Sequence, residues 1–333
     1  METINITVIG AGSMGCAISA HLAWNGHKVS LWSPDASEIA MLNEKHEHLQ
    51  RLPGIKLPDN VKYFSDFSEA VKGAELVVLA VPSQTTRQNA KLLAENVSKE
   101  VLIVTCSKGI EADTCKLLTQ IIEEELPENK LAVLSGPSHA EEIARKIPTV
   151  VVAASTDIDV AKTVQKIFMS NTFRVYTNTD VVGVELGGAI KNVIALCAGI
   201  SDGLGFGDNT KAALMTRGMV EITQMGVAMG AKAETFAGLT GMGDLIVTCT
   251  SLLSRNRKAG MLIGQGMTPL QALKEVNMVV EGYASCPPVY ELSKQLNVSM
   301  PITEEAYLIL FKDKDPRKAV QDLMTRKEKQ EGA

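Results

Sequence analysis

The sequence predicts an α/β domain built on a parallel sheet (residues 1–180), followed by a domain made only of helices (residues 181–333). Three observations carry this. A β-rich run, Ile4 to Ile9, ends in Gly10-Ala11-Gly12-Ser13-Met14-Gly15 and is followed by a helical pattern and a second strand. Short apolar, β-branched runs then recur with helical patterns between most of them, as expected of a sheet covered on both faces. Beyond Asp180 such runs stop and only helical periodicities remain. The 333 residues, 45% of them hydrophobic, suffice for two domains with cores of their own.

In chain order, the helix Cys16 to Trp24 follows the first strand, stops at Asn25-Gly26, and leads into the strand His27 to Trp32. Strand, glycine turn, helix and strand within about 30 residues is the context that gives G-x-G-x-x-G its meaning, a Rossmann-like dinucleotide site. Gly10 permits the tight turn, Gly12 lets a pyrophosphate approach the backbone, and Gly15 lets helix pack on strand. The exposed N–H groups and the positive dipole end at the helix start then receive the phosphates. At the end of the second strand a carboxylate would accept the 2′-hydroxyl of NAD and repel the 2′-phosphate of NADP. Ser33 stands there instead, with Asp35 two residues on and no adjacent arginine, so both cofactors are admitted, with a lean toward NADP.

Five more strands follow: Glu75 to Val81, Val101 to Cys106, Leu131 to Leu134, Thr149 to Ala154 and Thr172 to Tyr176. Ligands in such sheets gather at the carboxyl ends of strands, where Lys108 and the run Ser135-Gly136-Pro137-Ser138 fall. Lys108 reads as an anion contact or as a solvated loop lysine. Gly136 to Glu142 reads as a turn entering a helix. His139 lies within it and is left outside the catalytic set, because a single histidine is more often structural.

The helical half reads as Val182 to Ile200, Lys211 to Met229, Leu253 to Gly264, Pro269 to Val276, Ala284 to Leu296, Thr303 to Phe311 and Pro316 to Leu323. The charged tail Arg326 to Glu331 reads as frayed. Lys191 is the anomaly, an ammonium inside the apolar run Val184 to Ile200. On a helix it leans over Gly187 and Gly188, which read as an open pocket floor. A desolvated lysine has a lowered pKa and can hand a proton to a developing alkoxide, and Asn192 adds an amide beside it. The competing reading is a snorkelling lysine over packed glycines. A glycine loop, Gly238 to Leu245, carries Asp244, which either orients Lys191 or caps a helix. Thr248, Ser254, Arg255 and Asn256 offer a guanidinium fork with neutral donors for a phosphate; Arg255 with Arg257 and Lys258 can equally be a solvated basic face.

Composition excludes several classes. A net charge of −5 leaves no basic surplus for nucleic acid. The six cysteines are scattered, with no C-x-x-C pair, which fits reduced thiols and argues against a metal. A strand begins too early for a signal peptide and no apolar run is expected to reach membrane-spanning length, so the expected location is the cytoplasm.

Together these motifs resemble the bacterial-type NAD(P)-dependent glycerol-3-phosphate dehydrogenases over nearly the whole chain. The resemblance lies in Gly10–Gly15, Cys106–Glu111, Ser135–Glu142, Glu185–Val193, Gly241–Leu245, Ser254–Asn256 and Val279–Gly282. It implies a helical domain of the 6-phosphogluconate dehydrogenase C-terminal type and a homodimer. It also implies reduction of dihydroxyacetone phosphate to sn-glycerol 3-phosphate for phospholipid synthesis. Lys191 would be the proton donor, oriented with the substrate by Asn192 and Asp244. Lys108, Gly136, Ser138, Thr248, Ser254, Arg255 and Asn256 would line the substrate site. Ser13, Met14, Ser33, Lys108, Ala140, Arg255, Val279 and Glu281 would touch NAD or NADP. The departure is at Ser33, where many relatives carry a basic or histidine side chain. The alternatives are a β-hydroxyacid or 6-phosphogluconate type dehydrogenase and a non-catalytic NAD(P)-binding regulator. The first typically places an asparagine three or four residues after the lysine, where this chain has Ile194 and Ala195.

Overall fold

The structure, a computed structural model, describes residues 2–328, 330 and 331. The expected frayed tail includes Lys329, which lies outside the described residues, as do Met1, Gly332 and Ala333 of the expected domains. The first half runs β1 (Asn5–Ile9), α1 (Ser13–Trp24), β2 (Lys28–Trp32), α2 (Ala36–Lys45), β3 (Val61–Phe64), α3 (Phe67–Val71) and β4 (Leu76–Leu79). A 3-10 turn (Ser83–Thr85), α4 (Thr86–Asn96), β5 (Leu102–Thr105), α5 (Leu118–Glu125), β6 (Leu131–Ser135), α6 (Ala140–Ala144), β7 (Thr149–Ala154), α7 (Ile158–Phe168) and β8 (Phe173–Asn178) follow.

The eight strands form one sheet in the order β3-β2-β1-β4-β5-β6-β7-β8. The expected parallel sheet holds from β1 to β6, but β7 pairs antiparallel to β6 and β8 follows β7. Alternation along each strand feeds two cores. Ile6, Val8, Val78 and Val104 enter one face's core, while Ile9, Val77, Leu79 and Ile103 enter the other. Strand order reverses between β1 and β4, and the registers Ile9↔Trp32 and Ile9↔Leu79 bring the three strand tips level. That is the position at which a doubly wound sheet opens a ligand crevice.

β3 and the helices beside it were not legible. Val61-Lys62-Tyr63-Phe64 is a short edge strand that buries only alternate residues, so it shows no apolar run. α2 buries only Ile39 and Leu42.

The second half is helical: α8 (Val181–Gly203), α9 (Asp208–Ala228), α10 (Ala233–Phe236), a π-helical turn (Leu239–Gly243), α11 (Asp244–Thr250), α12 (Arg255–Gly264), α13 (Pro269–Val276), α14 (Glu281–Gln295), α15 (Pro301–Phe311) and α16 (Pro316–Met324). α8 is the axis. Asp180 caps it, accepting from Gly183 N at 3.0 Å, and the same carboxylate accepts from Lys232 N and Thr235 Oγ1 at the start of α10. Contrary to expectation, α8 is long and apolar enough to cross a bilayer, at 23 residues with mean hydropathy 1.6. Of its most apolar 18 residues, to which that hydropathy belongs, 83% are buried inside the protein, so they serve a core helix. α9, α11, α12 and α14 pack around it, and Val184 joins Val133, Val152 and Ala154 to seat it on the sheet.

α8 and α12 cross through interlocked glycines. A Cβ on Gly199 would collide with the Arg257 carbonyl, and one on Gly260 with the Leu196 carbonyl. Gly203 and Gly264 meet in the same way one turn on, Gly264 Cα lying 3.0 Å from where a Gly203 Cβ would stand. This small-xxx-small face brings the two backbones together and sets the start of α12 beside the middle of α8.

Candidate active site

The crevice at the tip of β1 is shaped by three glycines with three separate duties. Gly10 has φ +104°, and a Cβ there would lie 2.7 Å from the Ala80 carbonyl oxygen. Gly15 faces the Gly10 carbonyl and leaves no room for a side chain. Gly12 has nothing within 4 Å of its would-be Cβ, so its backbone borders open space. α1 starts directly behind it with no side-chain cap, leaving its first amides for an anion. An open glycine face in front of an uncapped helix fits a dinucleotide pyrophosphate. Ser13 donates through Oγ to the Arg51 carbonyl at 2.6 Å, and Met14 packs partly buried on the core.

The lean toward NADP finds no support at the tip of β2. Ser33 is buried and donates through Oγ to Glu38 Oε2 at 2.7 Å, so a carboxylate does stand there, supplied from the first turn of α2. Asp35 is the cap of α2, accepting from Ser37 N at 2.8 Å.

The centre of the site is a carboxylate between two ammonium groups. Asp244 accepts from Lys191 Nζ at 2.8 Å through Oδ1 and from Lys108 Nζ at 2.6 Å through Oδ2. Lys191 and Asp244 are almost wholly buried, 5% and 1% exposed. Burial drives the Lys191 ammonium down to about 8; Asp244 opposes that shift and the Lys108 charge adds to it. Burial alone would raise the Asp244 carboxyl, but the two ammonium groups overcome it and hold the group below its ordinary value. The result is a lysine able to change charge near neutrality beside a carboxylate that stays ionised.

The supporting contacts revise several expectations. Thr248 Oγ1 accepts from Lys191 Nζ at 2.6 Å and donates to the Asp244 carbonyl at 2.6 Å. Its hydroxyl proton is spent, so it positions Lys191 and is no phosphate donor. Asn192 does not touch Lys191. Its Nδ2 donates to the Gly188 carbonyl at 3.2 Å and its Oδ1 accepts from Asn256 Nδ2 at 3.0 Å. Asn256 Oδ1 accepts in turn from Gly282 N at 2.8 Å, so the two amides bolt α8, α12 and α14 together. The open pocket floor is also absent. A Cβ on Gly187 would sit 2.5 Å from the Thr240 carbonyl oxygen, and one on Gly188 would be 3.0 Å from Ser135 Oγ and 3.5 Å from Lys108 Cγ. The glycines let α8 press on the π-helical turn and on the stem of Lys108. The expected glycine loop is that π turn, and it delivers Asp244 at the first position of α11.

Lys108 is no free loop cation. Besides Asp244 it donates to the Gly136 carbonyl at 2.8 Å and approaches Ser138 Oγ at 3.4 Å. The pairing of Lys108 with Asp244 spans 136 residues and carries no local sequence signal.

Arg255 opens α12 and is exposed, with Glu141, Glu281 and Arg51 as its charged neighbours. Ser254 caps the helix, its Oγ accepting from Arg257 N at 3.2 Å. Arg257 belongs elsewhere, paired with Asp202 at 2.7 Å. Glu281 accepts from Ser83 N at 3.0 Å and Ser83 Oγ at 2.5 Å, joining α14 to the turn after β4; burial raises its carboxyl. Val279 is exposed, whereas the Ala140 side chain is buried in the sheet-side core.

Two polar groups at the site lack partners among the described residues: Ser135 Oγ at the end of β6 and His139 Nε2 at the cap of α6. Burial lowers the His139 imidazole, and the Lys191 charge adds to that shift.

Comparison with known proteins follows the same division of the chain. The model of the NAD-dependent glycerol-3-phosphate dehydrogenase N-terminus matches residues 5–161, and that of the C-terminus matches residues 180–321. A glycerol-3-phosphate dehydrogenase (NAD(P)+) of Clostridium tetani is 51% identical over 331 residues, covering 99% of this chain and 95% of its own. One from Agathobacter rectalis is 54% identical over 324 residues, covering 97% and 96%. Among solved structures, glycerol-3-phosphate dehydrogenase from Coxiella burnetii superposes with a TM-score of 0.94 at 35% identity, covering 97% of this chain and 99% of that one. A ketopantoate reductase from Ralstonia eutropha shares the fold, at a TM-score of 0.60 and 18% identity, covering 95% of this chain and all of that one.

Proposed function

The chain belongs to the NAD-dependent glycerol-3-phosphate dehydrogenase family, and from that premise we propose how its residues carry the reaction. The reaction is the reversible, NAD(P)H-dependent reduction of dihydroxyacetone phosphate to sn-glycerol 3-phosphate, which feeds glycerophospholipid synthesis. The bound nicotinamide supplies the hydride. The protein must hold the phosphate, aim the ketone and deliver a proton to its oxygen.

Lys191 delivers that proton. The observation that carries this role is buried Asp244 held between buried Lys191 at 2.8 Å and Lys108, which follows β5, at 2.6 Å. With an ammonium near 8, Lys191 donates to the developing alkoxide in reduction, and as neutral amine it accepts the proton in the reverse direction. Thr248 fixes its direction. Lys108 contributes a second positive charge where negative charge grows on the substrate oxygen. Arg255, on a helix start whose first amides are free of side-chain caps other than Ser254, takes the phosphate as a bidentate fork. Gly136 and Ser138 hold Lys108 in place. Glu281 and Val279, on α14 and the turn before it, would help hold the bound nucleotide.

Mixing the purified chain with dihydroxyacetone phosphate and either NADH or NADPH, while following nicotinamide absorbance, tests the reading. Absorbance should fall only when both reactants are present. No fall with either nucleotide contradicts it and favours a non-catalytic NAD(P)-binding regulator. Turnover of a phosphate-free hydroxyacid pair in its place favours a β-hydroxyacid dehydrogenase. A homodimer working in the cytoplasm is part of the same proposal, to be checked by sedimentation and by cell fractionation.

A further inference from the structure

We infer that Glu38 sets the nucleotide preference of this chain, and that it favours NADH over NADPH. The inference rests on the function proposed above, because it concerns the same crevice. At the tip of the second strand of such a sheet, a carboxylate accepts the ribose 2′-hydroxyl, whereas a cationic side chain accommodates a 2′-phosphate. The tip residue here is Ser33, and its hydroxyl is committed to Glu38 Oε2 at 2.7 Å. On the other side, Oε1 stands 3.3 Å from His48 Nε2, close enough for attraction though not aligned as a hydrogen bond. His48 Nδ1 accepts from Arg51 N at 3.2 Å, so in the neutral ring the proton sits on Nε2, the nitrogen facing Glu38.

The carboxylate is therefore held by a buried serine and a buried histidine, while its own side chain keeps 24% exposure. A carboxylate has about four acceptor positions, so these contacts leave others free for a ribose hydroxyl. The Arg51 guanidinium is directed to the Asn277 carbonyl, to which it donates at 3.1 Å, and forms no ion pair with Glu38 among the described residues. No lysine or arginine pairs with Glu38 among the described residues. Asp35 adds a second negative charge at the cap of α2. A ribose hydroxyl donates to this arrangement; a 2′-phosphate brings roughly −1.5 to −2 charges against it, with acceptor oxygens only.

The test is direct binding, read from nicotinamide fluorescence, of NADH and of NADPH to the full chain without substrate. NADH should bind the wild-type chain roughly 10- to 100-fold more tightly, the fold-change expected of one charge-assisted hydrogen bond. Glu38→Gln, which keeps the shape and removes the charge, should narrow that gap mainly by tightening NADPH. Equal or tighter binding of NADPH to the wild type overturns the inference and leaves the proposed function standing. A preference for NADH that Glu38→Gln leaves unchanged overturns the assignment to Glu38. Binding of neither nucleotide overturns the proposed function together with the inference.

Discussion

In the proposed chemistry, Lys191, Asp244 and Lys108 divide the labour of one proton. Burial makes the lysine willing to lose it, Asp244 keeps it from being lost too soon, and Thr248 points it. Lys191→Ala should lower kcat by at least ~100-fold, the low end for general acid–base catalysis, while nucleotide binding persists. Near-normal turnover in a folded variant would remove Lys191 from the chemistry. Thr248→Val should lower kcat and leave KM for dihydroxyacetone phosphate within about twofold, because its hydroxyl serves the lysine and not the substrate. A large rise in KM would restore it as a phosphate contact. Arg255→Ala should raise that KM by about tenfold or more, the loss of a charge-assisted contact, and steady-state kinetics will show whether it does. At this scale the sequence disclosed the chemistry-bearing types but not their partners. Lys191 stood out as a charge in an apolar run. The second amine on Asp244 did not, because it arrives from the tip of β5. Nor could a sequence say that Asn192 faces Asn256 and not its neighbour in the chain.

Elements place these side chains through backbone contacts that side-chain patterns do not announce. The glycines of α8 and α12 interlock, and so the first turn of α12, with Arg255, lies beside the turn of α8 that carries Lys191 and Asn192. Gly260→Ala would push a methyl group into the Leu196 carbonyl, so the helices must separate. The change should cost about 1–3 kcal/mol in denaturant unfolding, the usual range for overpacking, and raise KM for the phosphorylated substrate as Arg255 moves. Unchanged stability would show that the crossing is looser than drawn. Long periodic helices and continuous β-runs were legible because tertiary burial writes itself into their composition. The edge strand β3, the polar helix α2 and the π turn were not, since each shows little apolar periodicity. Glu38 sits in the first turn of α2, so its approach to the tip of β2 carries no local sequence signal.

Across the whole molecule, the sheet and the helical half are joined by side-chain contacts that include Ser83 with Glu281, Lys108 with Asp244, Arg51 with Asn277 and Thr119 with Glu185. The strand tips bring the glycine turn and Lys108, and α8, α11, α12 and α14 bring the lysine, carboxylate, arginine and glutamate. Neither half holds a complete site. The order of motifs along the chain made the two-part plan readable, while the long-range pairing that unites the parts could be seen only in three dimensions. The proposed chemistry turns on one charge change inside the site, and kcat measured against pH in both directions reads it most directly. Ketone reduction needs Lys191 protonated, so its kcat should fall as pH rises through about 8. Alcohol oxidation needs the neutral amine and should rise through the same range. Profiles that are flat there, or that move in the same direction for both reactions, would contradict the assignment of Lys191 as the proton carrier.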